Sequence, residues 1–287
     1  MVELPAEQVA GSCSYCASQL VDVQRGDASI DGVAPFRVPK AAALDKLRQH
    51  LAGRVWAPSE LRKLAAGGRV RAELKGLLVP FYAYDARCRS SYRAKIGVHW
   101  YRRQTRTGKD GKTRAEQVQE TEWFSLTGSA VGQLADHLES ASSGLSASDL
   151  VGLAGFDLGR TLPFDPHLLA GFEAELPSRP RADVDRDADE SIRAKEARRI
   201  THRLLPGDAH RKVEIQCDVT VARVQLVLLP VWITAYRHGG EVFRMLVHGQ
   251  DGRCHGAVPV SRTKVVGAAL AVAALGVLVL WLWGVWR

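Results

Sequence analysis

The chain has 287 residues, with 39 Lys and Arg against 31 Asp and Glu, a net charge of +8 and 46% hydrophobic residues. That length supports one large domain or two modest ones, and a charged fraction of 24% with a normal apolar share excludes a wholly disordered chain. Five scattered cysteines, an odd number, exclude a secreted disulfide framework.

The first 38 residues are broken by Gly11, Gly26, Gly32 and Pro35 and read as irregular. They carry neither the basic nor the apolar region of a signal peptide. From Lys40 the pattern turns helical, with Leu44, Leu47 and Leu51 at spacings of three and four. A second short helix is predicted from Pro58, with Leu61 and Leu64 on its inner face. Strand-like sequence begins near Leu77 and continues through Ser91–Tyr101. A basic, glycine-containing loop follows at 107–113, and Glu116–Phe124 is predicted as the partner strand. The region from Ser125 to Pro180 reads as mostly helix and loop, with a helix expected in the stretch from Leu126 to Leu138.

Asp183–Leu204 reads as a charge-dense helix with a narrow apolar stripe at Val184, Ala188, Ile192 and Ile200. The choice between a solvent-facing helix and a partner-binding one stays open. Val213 to Val260 is strand-rich, with turns predicted around Gly239 and at 249–252. The pattern implies an α+β fold of largely antiparallel sheet units with helices, plus one C-terminal transmembrane helix. The expected division is an N-terminal segment 1–38, an α+β domain 39–260 and a membrane anchor 261–287.

The anchor expectation rests on Val265–Trp286, a 22-residue run without a charged side chain. As a helix it would span roughly 33 Å, the thickness of a bilayer core. Trp281, Trp283 and Trp286 stand where an aromatic belt belongs, and Arg262 and Lys264 flank the near end. The reading is a tail-anchored, single-pass protein of the inner (cytoplasmic) membrane with its N-terminal mass in the cytoplasm.

Cys13 and Cys16 have the spacing of half a zinc knuckle, but zinc needs four ligands and no second such pair is present. Zinc, redox chemistry and a structural pair remain alternatives. The sequence around Gly111 and Lys112 lacks the upstream glycine of a phosphate-binding loop and reads as a turn. Asp85, Asp165 and His167 have no evident catalytic partners. Basic residues cluster about the first hairpin, from Arg87, Arg89 and Arg93 through Arg102 and Arg103 to Lys109 and Lys112, interleaved with Tyr92, Trp100 and Tyr101. Such a patch suits lipid headgroups, an acidic protein partner, nucleic acid or plain solvation. Arg102, Arg103, Lys109 and Lys112 are the contacts expected for a membrane surface or acidic partner.

The segments Val55–Leu61, Gly76–Ala86, Pro163–Glu175, Leu228–Trp232, Tyr236–Arg237 and His248–Gly252, in that order, resemble a bacterial family of zinc-ribbon membrane proteins. Members are often mislabelled as primosomal or replication helicases. The resemblance implies an N-terminal zinc ribbon, degenerate here because only Cys13 and Cys16 remain, and a place beside SPFH-domain and phage-shock-protein-A-like proteins. It implies a non-enzymatic membrane adaptor that docks such a cytoplasmic scaffold during envelope stress. The alternative is a membrane-held nucleic-acid-binding protein derived from a zinc ribbon. A homo-oligomer is left open.

Overall fold

A computed structural model describes residues 8–12, 19–21, 29–54, 74–107, 113–238, 241–256, 270, 272–276, 279 and 281. The strands are β1 (Gln8–Ser12), β2 (Gln19–Val21), β3 (Gly32–Val33), β4 (Lys75–Thr107), β5 (Thr113–Ser140), β6 (Leu162–Pro163), β7 (Glu173–Glu175), β8 (Ala209–His238), β9 (Glu241–His248) and β10 (Cys254–Gly256). The helices are α1 (Lys40–Ala52), α2 (Ala147–Gly152) and α3 (Arg181–Arg199), the last running on as a π-helix over Ile200–Leu204.

The chain forms two compact units. The first comprises Met1–Phe81, Ser142–Ser178 and Leu226–Arg287; the second comprises Tyr82–Ala141 and Arg179–Gln225.

In the first unit the strand order is β10-β9-β8-β4-β7-β1-β2, and β3 pairs with β8 and β6. The β8–β9 hairpin is antiparallel, from Val231↔His248 to His238↔Glu241, whereas β3–β8 and β4–β7 are parallel. The core gathers Leu47 and Leu51 of α1 with Leu74, Trp232, Met245 and Val247. Phe36 stacks on Phe172 with ring centroids 4.3 Å apart, and the Trp232 indole N–H donates to the Val38 carbonyl at 2.9 Å. The predicted turn at 249–252 is present: Gly252 has φ +77, and Gly249 approaches Pro230 so closely that a β-carbon would lie 2.4 Å from its carbonyl oxygen.

In the second unit β4 is flanked by β5 and β8, and α3 packs on one face. The predicted stripe is the buried one: Val184, Ala188, Ile192 and Ile200 face inward. The outward side is laced by Arg181–Asp185, Arg186–Asp183 and Arg193–Asp189 ion pairs three or four residues apart.

The expected fold class needs correction. Strand makes up 50% and helix 27%, in a large mixed sheet rather than antiparallel units balanced by helices. One reason is the stretch from Leu126 to Leu138, expected as helix and found inside β5. Its glycines are used for close approach, not for a turn: a β-carbon on Gly128 would lie 2.5 Å from the Tyr92 hydroxyl, and one on Gly132 2.5 Å from Glu196. Glycine also weakens a helix interior, so nothing local opposes the strand.

The membrane expectation is also corrected. Among the described residues no helix is long and apolar enough to cross a membrane, so the transmembrane anchor and the single-pass inner-membrane location are not supported. Of Val265–Trp286, residues 270, 272–276, 279 and 281 are described; they are helical and exposed. Arg262, Lys264, Trp283 and Trp286 lie outside the described residues, as does the predicted helix from Pro58.

Candidate functional site

The second unit carries most of the exposed basic and reactive groups. Side chains alternate across a strand. On β4, Cys88, Ser90 and Ala94 are buried on the α3 side; Ser90 meets Glu196, and Ala94 packs with Ile200 and Leu205. Arg87, Arg89, Ser91 and Arg93 therefore point to the uncovered face, and all four are exposed. On β8, Val213 and Ile215 pack under the helix, so Glu214, Gln216 and Asp218 share the open face and are likewise exposed. Ser91 and Arg93 line a cavity of ≈ 280 Å³ with Thr127, Glu214 and Gln216.

The three arginines stand along the middle strand and have no carboxylate partner among the described residues. Farther along the sheet the cations are engaged. Lys95 donates to Ser125 at 2.7 Å, and Arg102 pairs with Glu120 at 2.8 Å. The Trp123 indole lies over Gly97, where a β-carbon would be 3.1 Å from the ring, and Arg211 sits 3.8 Å above the ring centroid. That stack joins β5 to β8 across β4 as a cation–π contact. Arg103 is exposed, as are Trp100 and Tyr101 at 43% and 63%.

The basic cluster of the sequence thus separates. Arg87, Arg89 and Arg93 form a row without a carboxylate partner among the described residues, Arg102 is neutralised, and Lys109 and Lys112 lie outside the described residues. Cys13 and Cys16 also lie outside them. Among the described residues no group of three or more His, Cys, Asp or Glu side chains is placed to hold a metal ion, so the zinc-ribbon expectation gains no support there. Asp85 accepts from the Asp136 backbone N–H at 3.0 Å, where Asp136 has φ 54. Asp165 caps a short 3₁₀ helix by accepting from the His167 backbone N–H.

Two clusters escaped the sequence reading. In the first, Lys195 Nζ lies 2.6 Å from His137 Nδ1, His137 Nε2 lies 2.6 Å from Ser191 Oγ, and Ser191 Oγ donates to Glu139 Oε1 at 2.6 Å. The ammonium on Nδ1 assigns the imidazole proton to Nε2. The donor order then runs from lysine through histidine and serine to glutamate, opposite to that of a serine whose proton passes to histidine. Burial pushes the Glu139 carboxyl up, but the hydrogen bonds from His137 and Ser191 and the nearby charges hold it below its usual range. Burial lowers Lys195. This network ties α3 to β5. Its local sequence traces are Ser191 and Lys195, four apart on the helix, and His137 and Glu139, two apart on β5.

In the second, Cys88 on β4 meets Cys217 on β8 beneath α3, beside the buried Glu196. Glu196 accepts from Arg199 Nε at 2.7 Å and Nη2 at 2.6 Å. The cysteines are 129 positions apart, so no local motif marks them.

No family model, curated protein or solved structure matches this chain.

Proposed function

We propose that the protein is a non-enzymatic docking module that binds an acidic segment of a partner protein along the open face of the second unit. The observation that carries this reading is the row Arg87, Arg89 and Arg93, exposed at intervals of two and four on a strand whose other face is covered by α3. Guanidinium groups held on a sheet keep a fixed spacing, so an extended or helical acidic partner meets an ordered set of bidentate donors.

A protein partner suits this face better than nucleic acid. Glu214 and Asp218 share it, and Arg102 is already neutralised by Glu120. A continuous phosphate backbone would be repelled by those carboxylates, whereas a protein segment of mixed charge would satisfy both signs. The resemblance to zinc-ribbon adaptors suggests the class of partner, a scaffold of the SPFH or phage-shock-protein-A-like type.

A photocrosslinking side chain placed at Ser91, between Arg89 and Arg93, tests this in cells. The expected product joins Ser91 to a Glu- and Asp-rich stretch of one protein. A crosslink to nucleic acid, or none above that from an exposed position on the outer side of α3 such as Glu190, would overturn the proposal.

A further inference from the structure

The Cys88–Cys217 pair lies on the buried side of the sheet, opposite the arginine row. Cys88 is fully buried, and the Cys217 thiol neighbours it from the adjacent strand. The two are not symmetric in access. Cys217 forms part of the wall of a cleft of ≈ 590 Å³ with Arg193, Ala194, Ala197, Ile215 and Asp218. Cys88 is absent from that wall and lies behind Cys217. The Arg193 guanidinium bonds to the Cys217 carbonyl. The attacking sulfur in thiol–disulfide exchange must reach the small disulfide, and of the two cysteines only Cys217 borders the cleft.

We infer that Cys217 and Cys88 form a dithiol site that reacts with low-molecular-weight disulfides of the glutathione type, Cys217 attacking from the cleft and Cys88 resolving from the core. In the first step the Cys217 sulfur, its proton lost to solvent, bonds to one sulfur of the small disulfide. The bond between the two small-molecule sulfurs breaks, and one small thiolate leaves and takes up a proton. In the second step the Cys88 sulfur bonds to that of Cys217, the mixed disulfide breaks, and the second small thiol departs with the proton from Cys88. The protein dithiol is oxidised by two electrons and the small disulfide is reduced to two thiols.

Burial, with a further contribution from Cys217, pushes the Cys88 thiol up to about 12. Cys88 is therefore suited to the intramolecular step, where proximity replaces nucleophile concentration, and not to the first attack. Cys254, pushed up to about 11 by burial, has no such neighbouring thiol among the described residues.

The test uses the full chain, reduced, then treated with oxidised glutathione and followed by peptide mass mapping. The expected wild-type product is a Cys88–Cys217 disulfide with two hydrogens lost. Cys88→Ser should stop at a glutathione adduct on Cys217, and Cys217→Ser should leave Cys88 as a free thiol. Persistence of both cysteines as thiols while other cysteines are modified would overturn the inference. So would an adduct on Cys88 in the Cys217→Ser chain. The wild-type map decides the matter even if a variant fails to fold.

Discussion

Glu196 is packed against the backbone of Gly132: a β-carbon at Gly132 would lie 2.5 Å from Glu196 Oε2 and 2.9 Å from its Cδ. The carboxylate has no exposed surface and is held by Arg199 and Ser90, so it has nowhere to swing. Gly132→Ala should therefore destabilise the second unit by about 1–3 kcal/mol, the usual range for overpacking. Urea denaturation checks it, and an unchanged midpoint would mean that the glutamate is freer than its contacts imply.

Ser191→Ala removes the hydroxyl that joins His137 to Glu139. His137 Nε2 would keep only the Glu139 oxygen at 3.2 Å, and Glu139 would lose its shortest donor. A loss of about 1–3 kcal/mol is expected, as for other buried groups left unmatched. Amide exchange should show faster opening of α3 and of the end of β5. Ser191→Thr, which retains the hydroxyl, should recover part of that protection.

His248 makes the first unit sensitive to acid. It is 1% exposed, its Nδ1 accepts from the backbone N–H groups of Gln250 and Asp251, and its Nε2 has no partner among the described residues. Burial lowers its pKa from 6.5 to about 4. Below pH 6.5 the unfolded chain takes up a proton that the folded chain refuses, so this stability is present above 6.5 and is lost as pH falls towards 4. The full effect is on the order of 3 kcal/mol. An imidazole NMR titration should place His248 near pH 4, and a midpoint near 6.5 would contradict the packing against Phe156.

The sequence was readable where periodicity alone decides. The stripe Val184, Ala188, Ile192 and Ile200 marks both a helix and its buried side. The alternation in β4 puts Arg87, Arg89 and Arg93 on one face, but which face is covered depends on α3, about a hundred positions away. The Leu126–Leu138 stretch misleads because its glycines serve distant partners, Tyr92 and Glu196. The parallel β3–β8 and β4–β7 pairings join segments with no local signature. Neither the Cys88–Cys217 contact nor the link from His137 to Ser191 could be found without the fold.

The docking claim is tested most directly by fluorescence anisotropy with a labelled polyglutamate peptide. The wild-type chain is compared with one carrying Arg87→Gln, Arg89→Gln and Arg93→Gln. Because these arginines have no internal carboxylate partner among the described residues, their loss should leave the fold intact. Wild type should bind the peptide, more weakly as salt rises. The triple variant should bind at least about tenfold more weakly, equivalent to about 1.4 kcal/mol. Equal binding by the two chains, or a clear preference for a single-stranded oligonucleotide over the peptide, would contradict the account.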